Sequence, residues 1–251
     1  MWRSIRIVSI VLFCFAVIQL GRYVYSYKDA KDTLDELQRE VQLVDDIVAD
    51  EGAPLSSVHE VQPMSRTEKL QQINRQIVGW IQVEGTAINN PIMQAGDNDF
   101  YLDHNHLNEK SRSGSIFLDY RNDARIVGKH TILYGHVMRD GTMFGQLPNY
   151  ANQQFLDAHP TFEIELMGNQ YKVEIFSAYE TTTDFYYIET VFPTKEAYAT
   201  FLQSIRQKSI VSTLADVVPE DDVITLSTCT TSTFNEKRFV IHGKMKKIVD
   251  D

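Results

Sequence analysis

A cysteine, a histidine and an arginine each stand at the end of a strand-like run in this sequence. Cys229 closes one run, Arg238 opens the next run nine residues later, and His136 closes a third run upstream. The polar residues 230–237 predict a hairpin connection, which would bring Cys229 and Arg238 to the same end of one sheet. A thiol beside an imidazole and a guanidinium is the set of groups that a cysteine acyltransferase uses.

The three side chains suit different steps of acyl transfer. A free thiol has a pKa of about 8.5, so a neighbouring cation is needed to raise its thiolate fraction at neutral pH. His136 could protonate a leaving amine and deprotonate an incoming one. Arg238 is always charged, and its planar guanidinium presents N–H donors side by side. This arrangement suits it to stabilise a carbonyl oxygen that gains negative charge.

Each of the three residues also has a structural interpretation. Cys229 could fill a buried position at the strand end, since free cysteine behaves as a small apolar residue. His136 could cap the loop that follows it, and Arg238 could be an ordinary cation of an edge strand. Their shared location at strand ends favours the catalytic interpretation.

The other histidines fit a structural role better than a chemical one. His104 and His106 lie in a polar loop that lacks the cysteine or carboxylate spacing of a metal site, so no metal centre is predicted. His130 follows a basic turn and His242 lies inside a strand-like run, and we interpret both as structural.

The N-terminal segment predicts a membrane helix. Residues 7–21 carry no charge, and the apolar character resumes after Arg22, giving about 20 residues if Arg22 snorkels to the interface. A cleaved signal peptide is the alternative, but a small-x-small cleavage site is missing, which favours an uncleaved anchor. Arg3 and Arg6 place the short N-terminus in the cytoplasm and the remainder outside the cell. Cys14 lies in this segment, so Cys229 has no soluble partner for a disulfide.

Charge excludes two classes of partner. The 251 residues include 24 basic and 34 acidic side chains, and removing residues 1–27 removes three arginines and no acid. The remainder therefore carries a formal charge of −13, which argues against nucleic acid and against an anionic lipid surface.

Apolar spacing predicts three helices outside the apolar segment. The first is a stalk helix, with an apolar stripe from Leu34 to Val48, that Gly52 and Pro54 end. The second begins at Ser65 in a capping box and is closed by Gly79. The third begins near Thr194 and has one apolar face (Tyr198, Phe201, Leu202 and Ile205).

Strand patterns dominate the rest of the chain. Most alternate as in a sheet with one wet face, and Gly168-Asn169 predicts a tight turn. The eight predicted strands are residues 80–83, 87–88, 115–118, 131–134, 161–166, 171–176, 223–229 and 238–242. The fold class is therefore mainly β with inserted helices, arranged as an antiparallel or mixed barrel. We divide the chain into an anchor (1–27), a helical stalk and linker (28–64) and a catalytic barrel (65–251).

Three short strings resemble the sortases, the membrane-anchored transpeptidases of Gram-positive bacteria, and the class B branch most closely. They are Thr-Leu-Ser-Thr-Cys at 225–229, Tyr-Gly-His at 134–136, and an arginine nine positions after the cysteine. The similarity extends over roughly residues 65–248. The resemblance implies an eight-stranded β-barrel preceded by N-terminal helices, with no cofactor. It also implies cleavage of a C-terminal sorting signal of secreted proteins after threonine, through a thioacyl-enzyme. The acyl group would pass to an amine of the cell-wall precursor or to a pilin lysine.

Further site residues follow from the resemblance alone. Class B enzymes line a substrate groove with residues that match Asn98, Leu102, Thr183, Tyr187 and Ile188, and Ser227 shares the strand face of the cysteine. Some relatives carry an acid directly after the cysteine, where this chain has Thr230, so a triad built on that position is excluded. Asp119 is a possible orienter of His136, although a turn or strand-end contact is favoured for it.

Two alternatives remain open at this stage. An L,D-transpeptidase also uses an exported cysteine and histidine, but its histidine lies close before the cysteine, whereas 93 residues separate the two here. A catalytically inactive surface-binding module would keep the barrel without the thiol chemistry. Processing of a sorting-signal peptide rather than a muropeptide, and reaction of Cys229 with a thiol reagent, discriminate among the three.

Overall fold

The computed structural model describes residues 2–50, 66–229 and 237–248. Eight strands form one closed barrel in the order β1-β2-β3-β4-β7-β8-β6-β5. The strands are β1 (Ile77–Gln82), β2 (Asn89–Met93), β3 (Ile116–Leu118), β4 (His130–His136), β5 (Thr161–Leu166), β6 (Asn169–Thr181), β7 (Asp222–Cys229) and β8 (Arg238–Lys247). Two neighbouring pairs, β2 with β3 and β4 with β7, are parallel and the others are antiparallel. The prediction of a mixed eight-stranded barrel with inserted helices is confirmed.

Helices lie before and between the strands. They are α1 (Trp2–Asp50), α2 (Arg66–Ile73), α3 (Gln153–Ala158) and α4 (Lys195–Gln207), with short 3-10 helices at Phe100–Leu102 and Leu147–Ala151. The α4 prediction is correct in detail. Thr194 caps its N-terminus by accepting a hydrogen bond from the Ala197 amide, and its four predicted apolar residues are buried.

The barrel wall is covered on both faces around strands β4 and β7. All seven residues of β4 are buried, as are seven of the eight residues of β7. Apolar side chains fill the barrel interior, a second cluster lies beneath α1 and α2, and a third lies beneath α4. These two strands therefore lack the wet face expected of most strands, because α4 and the loop that precedes it pack on the outside of the barrel there.

Helix α1 runs without a break from the apolar segment into the stalk. The stretch Ile5–Arg22 is long and apolar enough to cross a membrane, with a mean hydropathy of 1.9 and none of it buried in the protein. Leu34, Leu37 and Val41 are buried, and the Gln38 amide donates to the Asn89 carbonyl at the start of β2. The part of the predicted stripe whose side chains the structure describes, Leu34 to Val41, thus packs on the barrel. The predicted helix end at Gly52 and Pro54 lies outside the described residues.

The second helix is shorter than predicted. It ends at Ile73, and both Ile77 and Gly79 belong to β1. Gly79 is needed for close approach rather than as a helix stop, since a Cβ there would lie 2.0 Å from the Glu165 carbonyl oxygen. Ser65, the proposed cap, lies outside the described residues.

Two strand boundaries also differ. The strand expected at 87–88 is observed two residues later, as β2. The prediction missed residues 89–91 because Asn-Asn-Pro has the composition of a turn. In the structure these residues belong to the strand, and Pro91 pairs with Trp80. The hairpin between β5 and β6 turns on Met167 and Gly168, both with positive φ, rather than on Gly168-Asn169. Positive φ at two central residues is the geometry of a type I′ turn, which matches the strand twist.

Candidate active site

Strand pairing brings the three chemical residues to one rim of the barrel. His136 and Cys229 end the parallel strands β4 and β7 as register partners. β8 pairs antiparallel with β7, so Arg238 at its start lies at the end of β7 that carries Cys229. The predicted hairpin pairing of β7 and β8 is confirmed, although its connection, residues 230–236 including Thr230, lies outside the described residues.

A cavity of about 650 Å³ opens at this rim. Cys229, His136 and Arg238 all line it, together with the five groove residues Asn98, Leu102, Thr183, Tyr187 and Ile188. Ser227 lies behind the wall, where its hydroxyl is 2.8 Å from the Tyr187 hydroxyl. The residues singled out in sequence are therefore brought together in one place.

Cys229 is a buried thiol with competing influences on its ionisation. Only 8% of the residue is exposed, and this burial raises the pKa of the thiol above its ordinary value. The charge of Arg238, a hydrogen bond from its guanidinium and a hydrogen bond with the Gly135 backbone act in the opposite direction but do not overcome burial. The thiol is therefore protonated at neutral pH.

His136 is held in one tautomer by a backbone carbonyl. Its Nε2 lies 2.7 Å from the Leu102 carbonyl oxygen, and because a carbonyl only accepts, Nε2 carries the proton. Nδ1 is buried and has no hydrogen-bond partner among the described residues. When the ring is neutral, the lone pair of Nδ1 is therefore available for proton transfer.

Arg238 is tied to the strand that carries the cysteine. Its Nη1 donates to the Thr228 carbonyl at 3.1 Å, directly before Cys229 in the chain. Its charge also favours the ionised forms of both Cys229 and Tyr187. One nitrogen of the Arg238 guanidinium therefore serves to position the side chain beside Cys229.

Asp119 forms a strand-end network and does not orient His136. The side chain is fully buried and accepts two hydrogen bonds from the Arg121 guanidinium and one of 2.9 Å from the Tyr134 hydroxyl. Although burial opposes ionisation, the bonds from Arg121 and Tyr134 hold the pKa of Asp119 below its ordinary value. Arg121 also donates to the Ile188 carbonyl at 2.9 Å and so ties this network to the opposite cavity wall.

The same network orients Asn98. Its Nδ2 donates to Asp119 and its Oδ1 accepts from the Tyr120 amide, so the amide has one orientation. One N–H of Nδ2 and one lone pair of Oδ1 remain for other partners.

Sequence reasoning missed Tyr134 and Arg121, although both had a recognisable position. Tyr134 precedes His136 by two residues and so shares its strand face. Arg121 follows Asp119 by two residues at a strand end, a spacing that permits the observed bidentate pair.

The remaining histidines lie apart from the catalytic groups. His104 stacks on Phe100 with ring centroids 3.9 Å apart, and burial lowers the pKa of His106. His130 and His242 are fully buried in the barrel wall. The described residues contain no group of three metal-ligating side chains.

Comparisons with known proteins agree with this geometry. The model of the sortase domain matches residues 81–246. The sortase B of Listeria monocytogenes is 42% identical over 97% of this chain and 96% of its own length. A Staphylococcus aureus sortase B–substrate complex superposes with a TM-score of 0.80 at 34% identity, over 88% of this chain and 98% of that one. A sortase B complexed with triglycine gives a TM-score of 0.79 at 35% identity, over 88% and 99% of the two chains.

The family match and the full-length similarity decide between the three candidate functions. Both the sequence relative and the solved structures are sortases of class B, and the match covers the strands that carry Cys229, His136 and Arg238. This favours the transpeptidase over an L,D-transpeptidase-like enzyme and over an inactive module. The chain belongs to the sortase family and is a cysteine transpeptidase of class B.

Proposed function

We propose that this enzyme cleaves the C-terminal sorting signal of secreted proteins after a threonine and transfers the acyl group to an amine. The acceptor is an amine of the peptidoglycan precursor or a lysine of a pilin. One observation carries the proposal: a buried thiol, an imidazole with a free nitrogen and a guanidinium line one cavity of about 650 Å³. The relatives solved as a substrate complex and with triglycine, which offers a primary amine, support a peptide donor and an amine acceptor.

The first half-reaction begins with proton transfer from the thiol to the imidazole. The Cys229 proton passes to Nδ1 of His136, the nitrogen that keeps a lone pair, and the thiolate attacks the threonine carbonyl carbon. The free donors of Arg238 stabilise the oxygen as it gains negative charge. The imidazolium then gives its proton to the leaving amine, the peptide C–N bond breaks and a thioester forms on Cys229.

The second half-reaction reverses the proton movements. The acceptor amine attacks the thioester carbon while Nδ1 of His136 takes its proton. The C–S bond breaks, the sulfur recovers the proton, and a new amide leaves the site. No step requires a metal or a cofactor.

In this proposal one groove residue makes hydrogen bonds to the peptide and the others form the sides of the groove. Asn98 offers its remaining N–H and lone pair to the peptide backbone, while Thr183, Tyr187 and Ile188 form one wall and Leu102 the other. Ser227 acts through its hydrogen bond to Tyr187. Because the Leu102 carbonyl holds His136, a peptide that packs on Leu102 also contacts the residue that sets the imidazole.

We infer a single-pass membrane topology for the same chain. Residues 1–27 form the anchor with a short cytoplasmic N-terminus, 28–64 the stalk and linker, and 65–251 the extracellular catalytic barrel. The apolar span Ile5–Arg22 and the two arginines at the N-terminal end of the helix, Arg3 and Arg6, support this orientation. The partners are then secreted proteins and cell-wall or pilin amines rather than nucleic acid.

Mass spectrometry of single turnovers tests the proposal. The full-length enzyme in detergent is mixed with peptides that carry a threonine-containing sorting signal, then with triglycine, a lysine peptide or a muropeptide. We expect a thioester on Cys229 after the first addition and an amide with one of the amines after the second. Cleavage without an adduct on Cys229, or reaction with muropeptides alone, would exclude this function.

A further inference from the structure

A chain of buried hydrogen bonds crosses the barrel wall behind the catalytic cavity. His130 Nδ1 lies 2.5 Å from the Glu189 carbonyl oxygen, and His130 Nε2 lies 2.6 Å from the Thr225 hydroxyl. The same hydroxyl is 2.6 Å from His242 Nδ1, and His242 Nε2 is 2.7 Å from the Tyr179 hydroxyl. The four side chains are at most 1% exposed, so water does not compete for these bonds.

One carbonyl sets the direction of the whole chain. The Glu189 carbonyl can only accept, so His130 Nδ1 donates, and in the neutral ring His130 Nε2 accepts from Thr225. The Thr225 oxygen then accepts from His242 Nδ1, and His242 Nε2 accepts from Tyr179. With both imidazoles neutral, each ring carries its proton on Nδ1 and every member of the chain is satisfied. Burial lowers the pKa of both rings, in agreement with this assignment.

The chain ends on the loop that walls the cavity. Residues 182–194, which we name the cavity loop, connect β6 to α4 and include Thr183, Tyr187 and Ile188. Two successive carbonyls of this loop are held by the barrel: Ile188 by Arg121 at 2.9 Å and Glu189 by His130.

Three residues on one face of β7 connect the cavity loop with the thiol. Thr225, Ser227 and Cys229 alternate along the strand, so they share the face that points away from the barrel interior. Thr225 holds Glu189 through His130, Ser227 holds Tyr187 directly, and Cys229 lines the cavity. The strand therefore sets the distance between the loop and the thiol.

We propose that Thr225 is a positioning residue, whose hydroxyl joins His130 to His242 and so fixes the cavity loop against the catalytic strand. The effect on peptide binding rests on the proposed function, whereas the placement of the loop does not. The hydroxyl touches no reacting atom, so it acts on the occupancy of the binding-competent loop and not on the chemical step.

Nitrogen NMR on the full-length protein in detergent tests the direction of the chain. Two-bond correlations of ¹⁵N-labelled histidine should show His130 and His242 protonated on Nδ1 alone at pH 7. A proton on Nε2 of either ring would overturn the proposal, because the hydroxyl could not then join the two rings as described.

Substitutions test the consequence for the loop. Thr225→Val keeps the shape but removes the hydroxyl, and Thr225→Ser keeps the hydroxyl. We expect the valine variant to raise both the rate of hydrogen exchange over residues 183–190 and the peptide KM. Each should rise by about tenfold, which corresponds to the free energy of one buried hydrogen bond. Its kcat and its rate of Cys229 alkylation should change by less than about twofold, and the serine variant should restore both affected quantities.

Ser177→Ala is the matched control. Ser177 is another fully buried hydroxyl, which donates to the Ile205 carbonyl of α4 at 2.7 Å and does not line the cavity. Its loss should lower stability without changing loop exchange or KM. An equal rise in this control, or unchanged exchange in Thr225→Val, would overturn the proposal.

A second variant covers the case in which Thr225→Val does not fold. Tyr179→Phe removes only the last donor of the chain and should raise loop exchange by about threefold; unchanged exchange there would count against the proposal equally. If wild-type enzyme cleaves no peptide, the proposed function fails, while the tautomers and the exchange rates still decide the role of Thr225.

Discussion

His136 and Cys229 are register partners on two parallel strands of the barrel. The hydrogen-bonded ladder between β4 and β7 runs over seven residue pairs and ends at this one. The separation of the imidazole and the thiol is therefore set by the ladder and not by a loop. Such a scaffold tolerates substitution of the reacting side chains without loss of the fold.

We predict that Cys229→Ala abolishes turnover and leaves the protein folded. Alanine keeps the Cβ and removes one buried atom, which costs about 1 kcal/mol of unfolding free energy. Peptide turnover and urea unfolding measure the two effects. Cys14→Ala is the matched control, because Cys14 is exposed on the apolar part of α1 and should keep full activity. Residual turnover above background in Cys229→Ala would remove Cys229 as the nucleophile.

We predict that Arg238→Lys loses turnover while the thiol keeps its ionisation. Lysine retains the charge that lowers the thiol pKa but, as a point charge, cannot reproduce the aligned N–H donors of the guanidinium, one of which holds the Thr228 carbonyl. Loss of an oxyanion donor costs about 10² to 10³ in kcat. Peptide turnover and the rate of thiol alkylation across pH are measured together, with Lys237→Arg as a neighbouring control.

The alkylation profile separates the charge of Arg238 from its geometry. Burial raises the Cys229 pKa, so the wild-type rate should climb through pH 9 and beyond. Arg238→Gln removes the opposing charge and should move the profile to still higher pH, whereas Arg238→Lys should barely move it. Near-normal turnover of the lysine variant would exclude the oxyanion role.

We predict that Asp119→Asn destabilises the protein and raises the peptide KM. The substitution weakens a bidentate pair between the buried Asp119 and the partly exposed Arg121, and the loss should be about 2 kcal/mol of unfolding free energy. Arg121 and Asn98 would lose the contact that places them beside the cavity. Asp123→Asn is the control, because Asp123 is exposed and its side chain accepts from the Arg125 amide. Normal KM with normal stability would contradict the role of Asp119.

We predict that acid lowers the unfolding free energy between pH 6.5 and pH 4. Burial depresses the pKa of His130 from 6.5 to about 4, and burial lowers that of His242 as well. The unfolded chain takes up these protons near pH 6.5 while the folded protein resists. The contribution of these two histidines to the unfolding free energy is therefore fully present above pH 6.5 and is lost as the pH falls. His130 alone accounts for roughly 3 kcal/mol over this range.

Urea unfolding at several pH values measures this loss. His130→Gln removes one of the two titrating rings, so its unfolding free energy should fall less steeply with pH than that of the wild type. Parallel profiles for the two proteins would show that His130 does not contribute.

The chemical residues were predictable because they stand at strand ends, where a short local pattern carries the information. Cys229 and His136 each close a run of apolar and β-branched residues, and the spacing to Arg238 indicates a hairpin. The Asp119–Arg121–Tyr134 network was not predictable, because Tyr134 reaches Asp119 only when β3 and β4 pair.

The errors have a common physical cause, which is tertiary contact that overrides a local pattern. Ile77 continues the helical spacing of Leu70 and Ile73, yet pairing with Met93 draws it into β1. Gly79 has the composition of a helix stop and is needed where the Glu165 backbone crosses it. β4 and β7 lack the wet face expected of most strands because α4 and the loop before it, which cover them, come from a distant part of the chain.

Helix α1 is uninterrupted, so the number of its residues between the apolar stretch and the barrel sets how the cavity is rotated about the helix axis. Leu34, Leu37 and Val41 clamp the helix to the barrel, and the apolar stretch ends at Arg22, twelve residues before the first of them. With that stretch in a bilayer, each residue inserted between them would lift the barrel by about 1.5 Å and rotate it by about 100°. The direction in which the cavity faces relative to such a bilayer would thus be encoded in the number of residues in this segment.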